Sequence, residues 1–204
     1  NVEVIPPVFS DTFYKALSTP VVKDGKNWLF VGRAAPHKST HKIIEAFDFY
    51  LRNCDPDAKL TLVGKCDVEL YGKKIEQLIN DRGLTESVLM LNGCSDKELA
   101  SIYAKSDVFV SLSEHEGFGV PLVEAMASGI PIVALRYAAV GETVSSAGIL
   151  IDDLEPINVA MAVKEVLDNT VFRDGLIDKG LVRAQQYHPE NTLKSYVDYL
   201  AEWY

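Results

Sequence analysis

The sequence predicts an α/β fold: a Rossmann-like, doubly wound parallel sheet of about six strands. Three observations carry this prediction: short apolar runs recur along the chain, segments with helical spacing separate them, and the runs do not alternate polar with apolar residues. Strands of a parallel sheet are covered by helices on both faces, so they can be apolar throughout. Ligands of such folds bind beyond the carboxyl ends of the strands.

The elements follow one another in a strand–helix rhythm. The predicted strands are residues 28–32, 60–64, 88–91, 107–112, 131–135 and 148–151. The predicted helices are residues 42–51, 71–82, a segment after Ser95, a segment from Pro121 to Gly129, and 156–167, 172–186 and 190–203. Apolar residues three and four positions apart mark the helices. Ser95 with Glu98 three residues later has the form of a capping box, and Gly83 is a predicted helix stop.

Composition excludes several classes of protein. The chain has 204 residues, of which 48% are hydrophobic and 24% charged, as in a globular domain, and no apolar run approaches the length of a membrane span. A net charge of −9 argues against an extended nucleic-acid surface. Cys54, Cys66 and Cys94 lack the spacing of a disulfide framework or a zinc site, so we expect a reducing, cytoplasmic setting.

The chain divides into three parts. Residues 1–26 are predicted to be an interdomain linker and lead-in segment, because Pro6 and Pro7 break an extended piece and no strand–helix unit precedes them. Residues 27–187 form the predicted α/β domain, and residues 188–204 form a terminal helix. This opening suggests a fragment of a longer protein.

The loop GRAAPHKS, residues 32–39, carries two cations beside the start of a helix. Arg33 and Lys38 suit an anion there, because the helix dipole adds positive charge, although both could also be solvated loop residues. The loop nearly matches a phosphate-binding P-loop. His37 stands where that motif needs its second glycine, and Pro36 removes a backbone donor.

The segment from Glu114 to Val133 is the most informative part of the sequence. Gly117 and Gly119 allow a ligand to approach the backbone closely, and Pro121 sets a helix start whose free N–H groups form a second anion seat. Glu116 and Glu124 flank the same pocket, and a carboxylate can accept hydrogen bonds from both members of a sugar diol. Alternatively, Glu124 is an ordinary acid near a helix start. A dinucleotide fingerprint fails here because Leu122 replaces its third glycine.

These motifs together resemble the retaining glycosyltransferases of family 4, the glycosyl transferases group 1. The stretch EGFGVPLVEAMASGIPIV resembles the family signature, in which two glutamates are separated by seven residues. Gly32 and Arg33 with Lys38 downstream, the opening IPP, and the segments LTLVG, LNGCSDKEL and SDVFVSLSEHEGFG follow the family order. The resemblance implies the C-terminal, donor-binding half of a GT-B type enzyme.

The resemblance also implies roles for individual residues. Arg33 and Lys38 would hold the donor diphosphate, and Gly32, at the start of their loop, would also contact the donor. Glu116 would contact the transferred sugar. Arg33, Lys38 and Glu116 are therefore the predicted catalytic residues. Glu124 would bind the ribose hydroxyls. The remaining predicted donor-binding positions are the backbone amides of Gly117, Phe118, Gly119 and Val120, and the base-reading Gly93 and Cys94.

Two further residues have uncertain counterparts in the family pattern. Glu142 matches the acid after the fifth strand, but Ala139 and Val140 replace the double glycine that normally precedes it. His115 lies beside the predicted pocket and could touch the donor. No divalent metal or other cofactor is expected, and Asp55-Pro56-Asp57, although it spells the DxD of metal-using transferases, is predicted to be a turn.

The implied reaction transfers a hexose from a UDP- or GDP-linked sugar with retention of configuration, plausibly in cell-envelope polysaccharide or lipopolysaccharide synthesis. The expected partners are the nucleotide sugar and a sugar or lipid-linked acceptor. The resemblance implies that an N-terminal domain, absent from this sequence, would bind the acceptor. The terminal helix would pack against that domain. Neither nucleic acid nor a transmembrane segment is expected, and the location would be cytoplasmic or peripheral to the inner membrane face. Alone, this half should bind nucleotide but catalyse sugar transfer poorly.

Two alternative functions remain open: a P-loop-like NTPase and a non-catalytic nucleotide-sugar binding module.

Overall fold

Six parallel strands form one sheet in this computed structural model, which describes residues 5–7, 10–16 and 26–201. The strands are β1 (Asn27–Val31), β2 (Lys59–Val63), β3 (Val88–Leu91), β4 (Val108–Ser111), β5 (Ile132–Leu135) and β6 (Gly148–Ile151). Their order across the sheet is β3-β2-β1-β4-β5-β6, and every neighbouring pair is parallel. This order is that of a Rossmann-like, doubly wound sheet, so the predicted fold class is confirmed.

The described residues also form nine α-helices and one 3₁₀ turn. The helices are α1 (Thr12–Ala16), α2 (Thr40–Asn53), α3 (Glu69–Asp81), α4 (Asp96–Lys105), α5 (Val120–Ala127), α6 (Val140–Val144), α7 (Pro156–Asp168), α8 (Thr170–Gln185) and α9 (Pro189–Ala201), and the 3₁₀ turn is Pro36–Lys38. The capping box at the start of α4 is present as predicted, with Ser95 and Glu98 bonded to each other's backbone N–H.

Several predicted boundaries were wrong by one or two residues. Helix α2 begins at Thr40 rather than residue 42, and α5 begins at Val120, so that Pro121 is its second residue. Strands β4 and β5 are shorter than predicted, and β1 and β2 end just before their glycines. Helices α1 and α6 were not predicted from the sequence.

The predicted linker and the predicted end of the last helix lie partly outside the described residues. Residues 1–4, 8–9 and 17–25 of the linker, and residues 202–204 of the terminal segment, are not described. Within the described part, α1 is a short helix in the predicted linker. Its Phe13 is buried and packs edge-on against Tyr103 of α4, with ring centroids 5.6 Å apart.

Helices cover both faces of the sheet and bury two apolar cores. On one face, α2, α3 and α7 pack against strand residues such as Trp28, whose ring lies edge-on to Phe47 of α2 at 5.6 Å. On the other face, α4, α5 and α6 pack against residues such as Leu29 and Phe109. Consecutive strand residues point to opposite faces, which explains why the strands are apolar throughout.

The strand order places a crevice between the loops after β1 and β4. From β1 the chain crosses outward through β2 to β3 and then returns, so that β4 lies on the other side of β1. The loop after β1 leads to α2 on one face, and the loop after β4 leads to α5 on the other. Ligands of open α/β sheets bind at such a reversal of strand order.

Glycine at position 64 allows the loops after β1 and β2 to approach each other. Its φ is +143°, and a Cβ there would lie 2.0 Å from the backbone oxygen of Gly32. Any side chain would therefore push the two strand ends apart.

The predicted turn at residues 55–57 is present. The backbone N–H of Asp57 donates to Asp55 Oδ1 at 3.0 Å, which confirms that the Asp-Pro-Asp sequence forms a turn.

None of the helices in the described part of the chain is both long and apolar enough to span a lipid bilayer.

Candidate functional site

Two hydrogen bonds tie the loop after β1 to the loop after β4. The backbone N–H of Glu114 donates to the carbonyl oxygen of His37 at 2.8 Å, and Ser39 Oγ donates to Glu114 Oε1 at 2.7 Å. Ser39 is fully buried. The two loops therefore form one unit at the crevice, although about 75 residues of sequence separate them. The sequence analysis assigned no role to Ser39 or Glu114.

Lys38 and Glu116 form an ion pair across the same crevice. Lys38 Nζ lies 2.6 Å from Glu116 Oε1, and the two side chains are 15% and 14% exposed. Because both groups are largely shielded from water, their attraction is screened less than that of a surface pair. The structure thus brings together one predicted phosphate-binding cation and one predicted sugar-binding acid.

Arg33 lies away from this pair. Its Nη1 is 3.5 Å from Asp67 Oδ2, and the two side chains are 70% and 58% exposed. Such an exposed pair contributes at most about 1 kcal/mol, so the guanidinium can change partners at little cost. The predicted convergence of Arg33 and Lys38 on one anion would require that change.

Helix α5 begins in the crevice without a capping side chain. Gly119 precedes it with φ of +85°, and no side-chain cap bond is present at this described helix start. A Cβ on Gly119 would lie 2.6 Å from the terminal Cδ1 of Leu122, which could shift, so it is the left-handed backbone conformation that favours glycine here. Gly117 and Val120 are exposed beside this start. Pro121 has no N–H and the Leu122 N–H donates to the carbonyl oxygen of Gly119 at 2.9 Å, so the Val120 N–H and the helix dipole are what this helix start offers an anion.

Phe118 anchors the loop before α5 to its neighbours. Its carbonyl oxygen accepts a hydrogen bond from Thr143 Oγ1 at 2.6 Å, and its ring lies edge-on to Tyr187 at 5.3 Å. The guanidinium of Arg183 lies over the Tyr187 ring at 5.1 Å and its Nε donates to the backbone of Thr143. The sequence held no signal for these contacts, since no motif joins α6 or α8 to this loop.

Glu124 lies in the second turn of α5 beside a buried tyrosine. The hydroxyl of Tyr103 donates to Glu124 Oε2 at 3.0 Å. Burial raises the pKa of Glu124 to about 7, although the Tyr103 hydrogen bond acts in the opposite direction. Raised carboxyl pKa values are common at functional sites, and the role of Glu124 as a ribose-binding acid stays a prediction.

The predicted base-reading residues lie in an open loop after β3. Gly93 has φ of +117°, and no atom lies within 4 Å of where its Cβ would be. Cys94 is exposed, and local burial raises the pKa of its thiol. This loop belongs to the same carboxyl edge as the crevice, but among the described residues no hydrogen bond or ion pair joins Gly93 or Cys94 to Lys38, Glu116 or Glu124.

The two residues with uncertain roles also lie at this edge. His115 is exposed, and its ring lies edge-on to that of His37 at 6.3 Å. Glu142 is exposed in α6, and its carbonyl oxygen accepts a hydrogen bond from Arg183 Nη2 at 2.8 Å. The contacts of both residues leave their roles as predictions.

Two of the cavities that the described residues form lie near the ends of the sheet. One of about 460 Å³ lies along the carboxyl edge and is lined by Lys65, Asp67 and Asn92, among others. The other, of about 390 Å³, lies between the α6–β6 connection and α8, and Arg183 lines it. The first continues the edge that holds the predicted site, because Asp67 also contacts Arg33.

The family is established by comparison with known proteins. A model of the glycosyl transferases group 1 matches residues 18–182. The chain is 28% identical over 164 residues to an O-antigen chain mannosyltransferase B of Escherichia coli, which covers 80% of this chain and 42% of the relative. It is 30% identical over 175 residues to a D-inositol 3-phosphate glycosyltransferase of Corynebacterium urealyticum, covering 83% of this chain and 41% of the relative.

Solved structures show the same fold. An Anabaena protein, HepE, in complex with UDP superposes with a TM-score of 0.84 at 22% identity, over 98% of this chain and 57% of that protein. A sucrose-phosphate synthase from Thermosynechococcus elongatus superposes with a TM-score of 0.75 at 25% identity, over 96% of this chain and 49% of that protein.

The chain belongs to the glycosyl transferases group 1. The resemblance seen in the sequence is thereby confirmed for the group, and the fold is that of one Rossmann-like half of a GT-B type glycosyltransferase. The chain spans about two fifths of the length of the curated relatives described above. The P-loop alternative is not favoured, because residues 36–38 form a 3₁₀ turn with Pro36 at its start rather than an open glycine-rich nest.

Proposed function

We propose that this chain is the donor-binding half of a retaining glycosyltransferase of family 4, which transfers a hexose from a UDP- or GDP-linked sugar. The observation that carries the proposal is the Lys38–Glu116 pair, which joins the loops after β1 and β4 beside the uncapped start of α5. A cation, a helix start and an acid together suit the diphosphate and hydroxyl groups of a nucleotide sugar. The family and the UDP complex of the structurally similar Anabaena protein support this choice of ligand.

The proposed chemistry is stabilisation of a leaving group. The bond between the anomeric carbon and the diphosphate oxygen breaks, and negative charge accumulates on the departing diphosphate. Once the donor has drawn Lys38 and Arg33 to its diphosphate, these two cations and the start of α5 lower the barrier, because they stabilise the charge that develops there. The acceptor hydroxyl bonds to the anomeric carbon on the face that the diphosphate leaves, and its proton passes to the departing phosphate. No divalent metal takes part in this proposal.

The ion pair gives Lys38 and Glu116 a second arrangement when donor binds. The diphosphate attracts Lys38 Nζ, and Glu116 then accepts hydrogen bonds from hydroxyls of the transferred sugar. Both charged groups keep a hydrogen-bonding partner in either arrangement, which matters because a partly buried charge without a partner is costly. Arg33 exchanges Asp67 for the same diphosphate. Gly93 and Cys94 contact the base, and Glu124 the ribose.

The direct test is a thermal-shift panel of UDP, GDP, ADP and CMP with their sugars, because ligand binding raises apparent stability by mass action. We expect one nucleotide diphosphate and its sugar to stabilise the chain, and Lys38→Ala to abolish the shift. Lys164→Ala is the control, because Lys164 also pairs with an acid, Asp168, but on the exposed surface at the end of α7, away from the crevice. Arg173→Ala serves likewise for Arg33→Ala, since Arg173 also has an acid at 3.5 Å.

Each alternative predicts a different result. A nucleotide-binding module with a decayed site would bind as well after Lys38→Ala and Arg33→Ala as before. A P-loop-like NTPase would hydrolyse ATP or GTP with Mg²⁺, and we expect no such hydrolysis. If none of the nucleotides stabilises the wild-type chain, the proposed function is wrong.

The domain arrangement and the cellular setting of the complete enzyme are also proposals. We propose that residues 27–187 are the donor domain, that an acceptor-binding domain precedes the linker, and that α9 packs across it. The relatives are more than twice as long as the matched segment, and α9 exposes Leu193, Val197 and Leu200, which support this arrangement. The proposed setting is cytoplasmic synthesis of cell-envelope polysaccharide or lipopolysaccharide, for which the Escherichia coli relative's name is the support.

A further inference from the structure

Tyr103 is held rigidly beneath the candidate site. Its side chain is completely buried. The ring stacks on Phe109 of β4 at 5.9 Å and meets Phe13 of α1 edge-on at 5.6 Å. A ring fixed on two sides presents its hydroxyl in one direction, toward the first two turns of α5.

The hydroxyl of Tyr103 has two acceptors within reach on that helix. It lies 3.0 Å from Glu124 Oε2 and 3.2 Å from the carbonyl oxygen of Pro121. A phenol has one proton, so it donates to one acceptor at a time unless the bond is shared. When Glu124 is ionised, the carboxylate is the stronger acceptor. When Glu124 is protonated, its own O–H can donate to the phenol oxygen while the phenol donates to Pro121, so the buried groups stay satisfied in both states.

We propose that Tyr103 is a positioning residue for Glu124: it holds Oε2 and leaves Oε1 to accept hydrogen bonds from the ribose of the nucleotide. This inference rests on the proposed function, in which Glu124 binds the ribose. Without the phenol, the carboxylate would lose both its fixed rotamer and a hydrogen bond to its charged form. The ribose contact would then weaken while the diphosphate contacts at Lys38 remain.

The charges around the pair explain why the phenol matters near neutral pH. The pKa of Glu124 is about 7 as the net result of three effects: burial raises it, the Tyr103 hydrogen bond lowers it, and the negative charge of Asp96 on α4 raises it. Burial and the nearby Glu124 raise the pKa of Tyr103 itself, so the phenol stays protonated. On α8, the cation that packs near α5 is Arg183, which donates to the carbonyl oxygens of Glu142 and Thr143.

The test compares UDP with 2′,3′-dideoxy-UDP, or the guanine pair if the panel selects GDP. The ratio of their dissociation constants reports the ribose contact, because both ligands carry the same diphosphate. In the wild type, we expect the preference for the ribonucleotide to fall as the pH drops through 7, since a neutral acid accepts less well. Tyr103→Phe should reduce the preference at pH 7 by about 10-fold or more, a typical effect of one hydrogen bond to a charged group, and move its midpoint to higher pH.

Two controls separate positioning from a general loss of stability. Tyr50→Phe removes a hydroxyl from another almost fully buried tyrosine, on the other face of the sheet, and should leave the preference unchanged. In a Glu124→Gln background, where no carboxylate remains to be positioned, Tyr103→Phe should have little further effect. The inference is overturned if Tyr103→Phe weakens both ligands equally, or acts as strongly in the Glu124→Gln background. Absence of nucleotide binding by the wild type would instead overturn the proposed function, and this inference with it.

Discussion

Replacing Glu124 by glutamine should stabilise the fold above neutral pH. Burial raises the pKa of this carboxyl from its usual 4.5 to about 7 in the folded protein. A pKa difference of this size corresponds to about 3 kcal/mol of unfavourable free energy for the ionised folded state, at about 1.4 kcal/mol for each pH unit. Glutamine keeps the size and a hydrogen-bonding group but carries no charge. The variant therefore avoids most of this cost.

The sign of the pH dependence follows from the direction of the shift. The folded protein binds the Glu124 proton more tightly than the unfolded chain does, because its folded pKa is the higher one. The contribution of Glu124 to the free energy of unfolding therefore falls as the pH rises from about 4.5 to about 7, and stays low above that. Below pH 4.5 both states are protonated and the penalty is absent.

Urea denaturation at pH 5 and pH 8 measures this difference. We expect Glu124→Gln to be more stable than the wild type by about 1 to 3 kcal/mol at pH 8, with most of the gap closed at pH 5. The reasoning is refuted if the gap does not change with pH, or if the wild type gains on the variant as the pH rises. Loss of stability in the variant at pH 8 would show that the Tyr103 hydrogen bond outweighs the cost of burial.

A second glutamate provides a control of opposite sign. Hydrogen bonds from the side chain and backbone of Ser95 lower the pKa of Glu98 in the folded protein. Its stabilising effect is therefore complete above its unfolded pKa and is lost as the pH falls through the lower folded value. Glu98→Gln should be less stable than the wild type at pH 8, with the gap closing in acid. If the stability difference from the wild type changes with pH in opposite directions for Glu124→Gln and Glu98→Gln, the effect cannot come merely from losing an acidic residue.

Three further predictions follow from the backbone. In a urea titration, Gly64→Ala should lower the free energy of unfolding by at least about 2 kcal/mol, because its Cβ would lie 2.0 Å from the carbonyl oxygen of Gly32. Gly83→Ala is the control: Gly83 has φ of +66° but open space around it, so this variant should lose only about 1 kcal/mol. Gly119→Ala should weaken nucleotide binding in the thermal-shift assay, because it distorts the uncapped start of α5. Ser95→Ala should lower the melting temperature by the equivalent of about 1 kcal/mol, since it removes the N-cap of α4.

The core elements of the fold were predictable because they are long or strongly apolar. All six strands were found, since each is a run of apolar residues that a sheet covered on both faces requires. The helices α1 and α6 were missed because each has five residues, too few to show a helical period. Helix α1 depends instead on tertiary contacts such as that of Phe13 with Tyr103, and those contacts are invisible in the local sequence.

The candidate site was predictable where a motif met the topology. Lys38 and Glu116 lie in loops that follow neighbouring strands, so the strand order alone places them at one edge, and the structure joins them. The contact of Ser39 with Glu114 could not be predicted, because two ordinary polar residues 75 positions apart form no pattern. The orientation of Arg33 toward Asp67 is a rotamer choice of an exposed side chain, which no sequence pattern determines.

Glu124 shows why stability and function diverge at this edge of the sheet. A sequence selected for folding alone would place glutamine or an apolar residue at a position where burial makes a charge costly. The chain instead has a glutamate here, and the buried hydroxyl of Tyr103 donates a hydrogen bond to it that favours its ionised form. The helix that carries Glu124 also begins without a capping side chain. Under the proposed function a nucleotide completes both features, because its diphosphate meets the helix start and its ribose hydroxyls meet the acid.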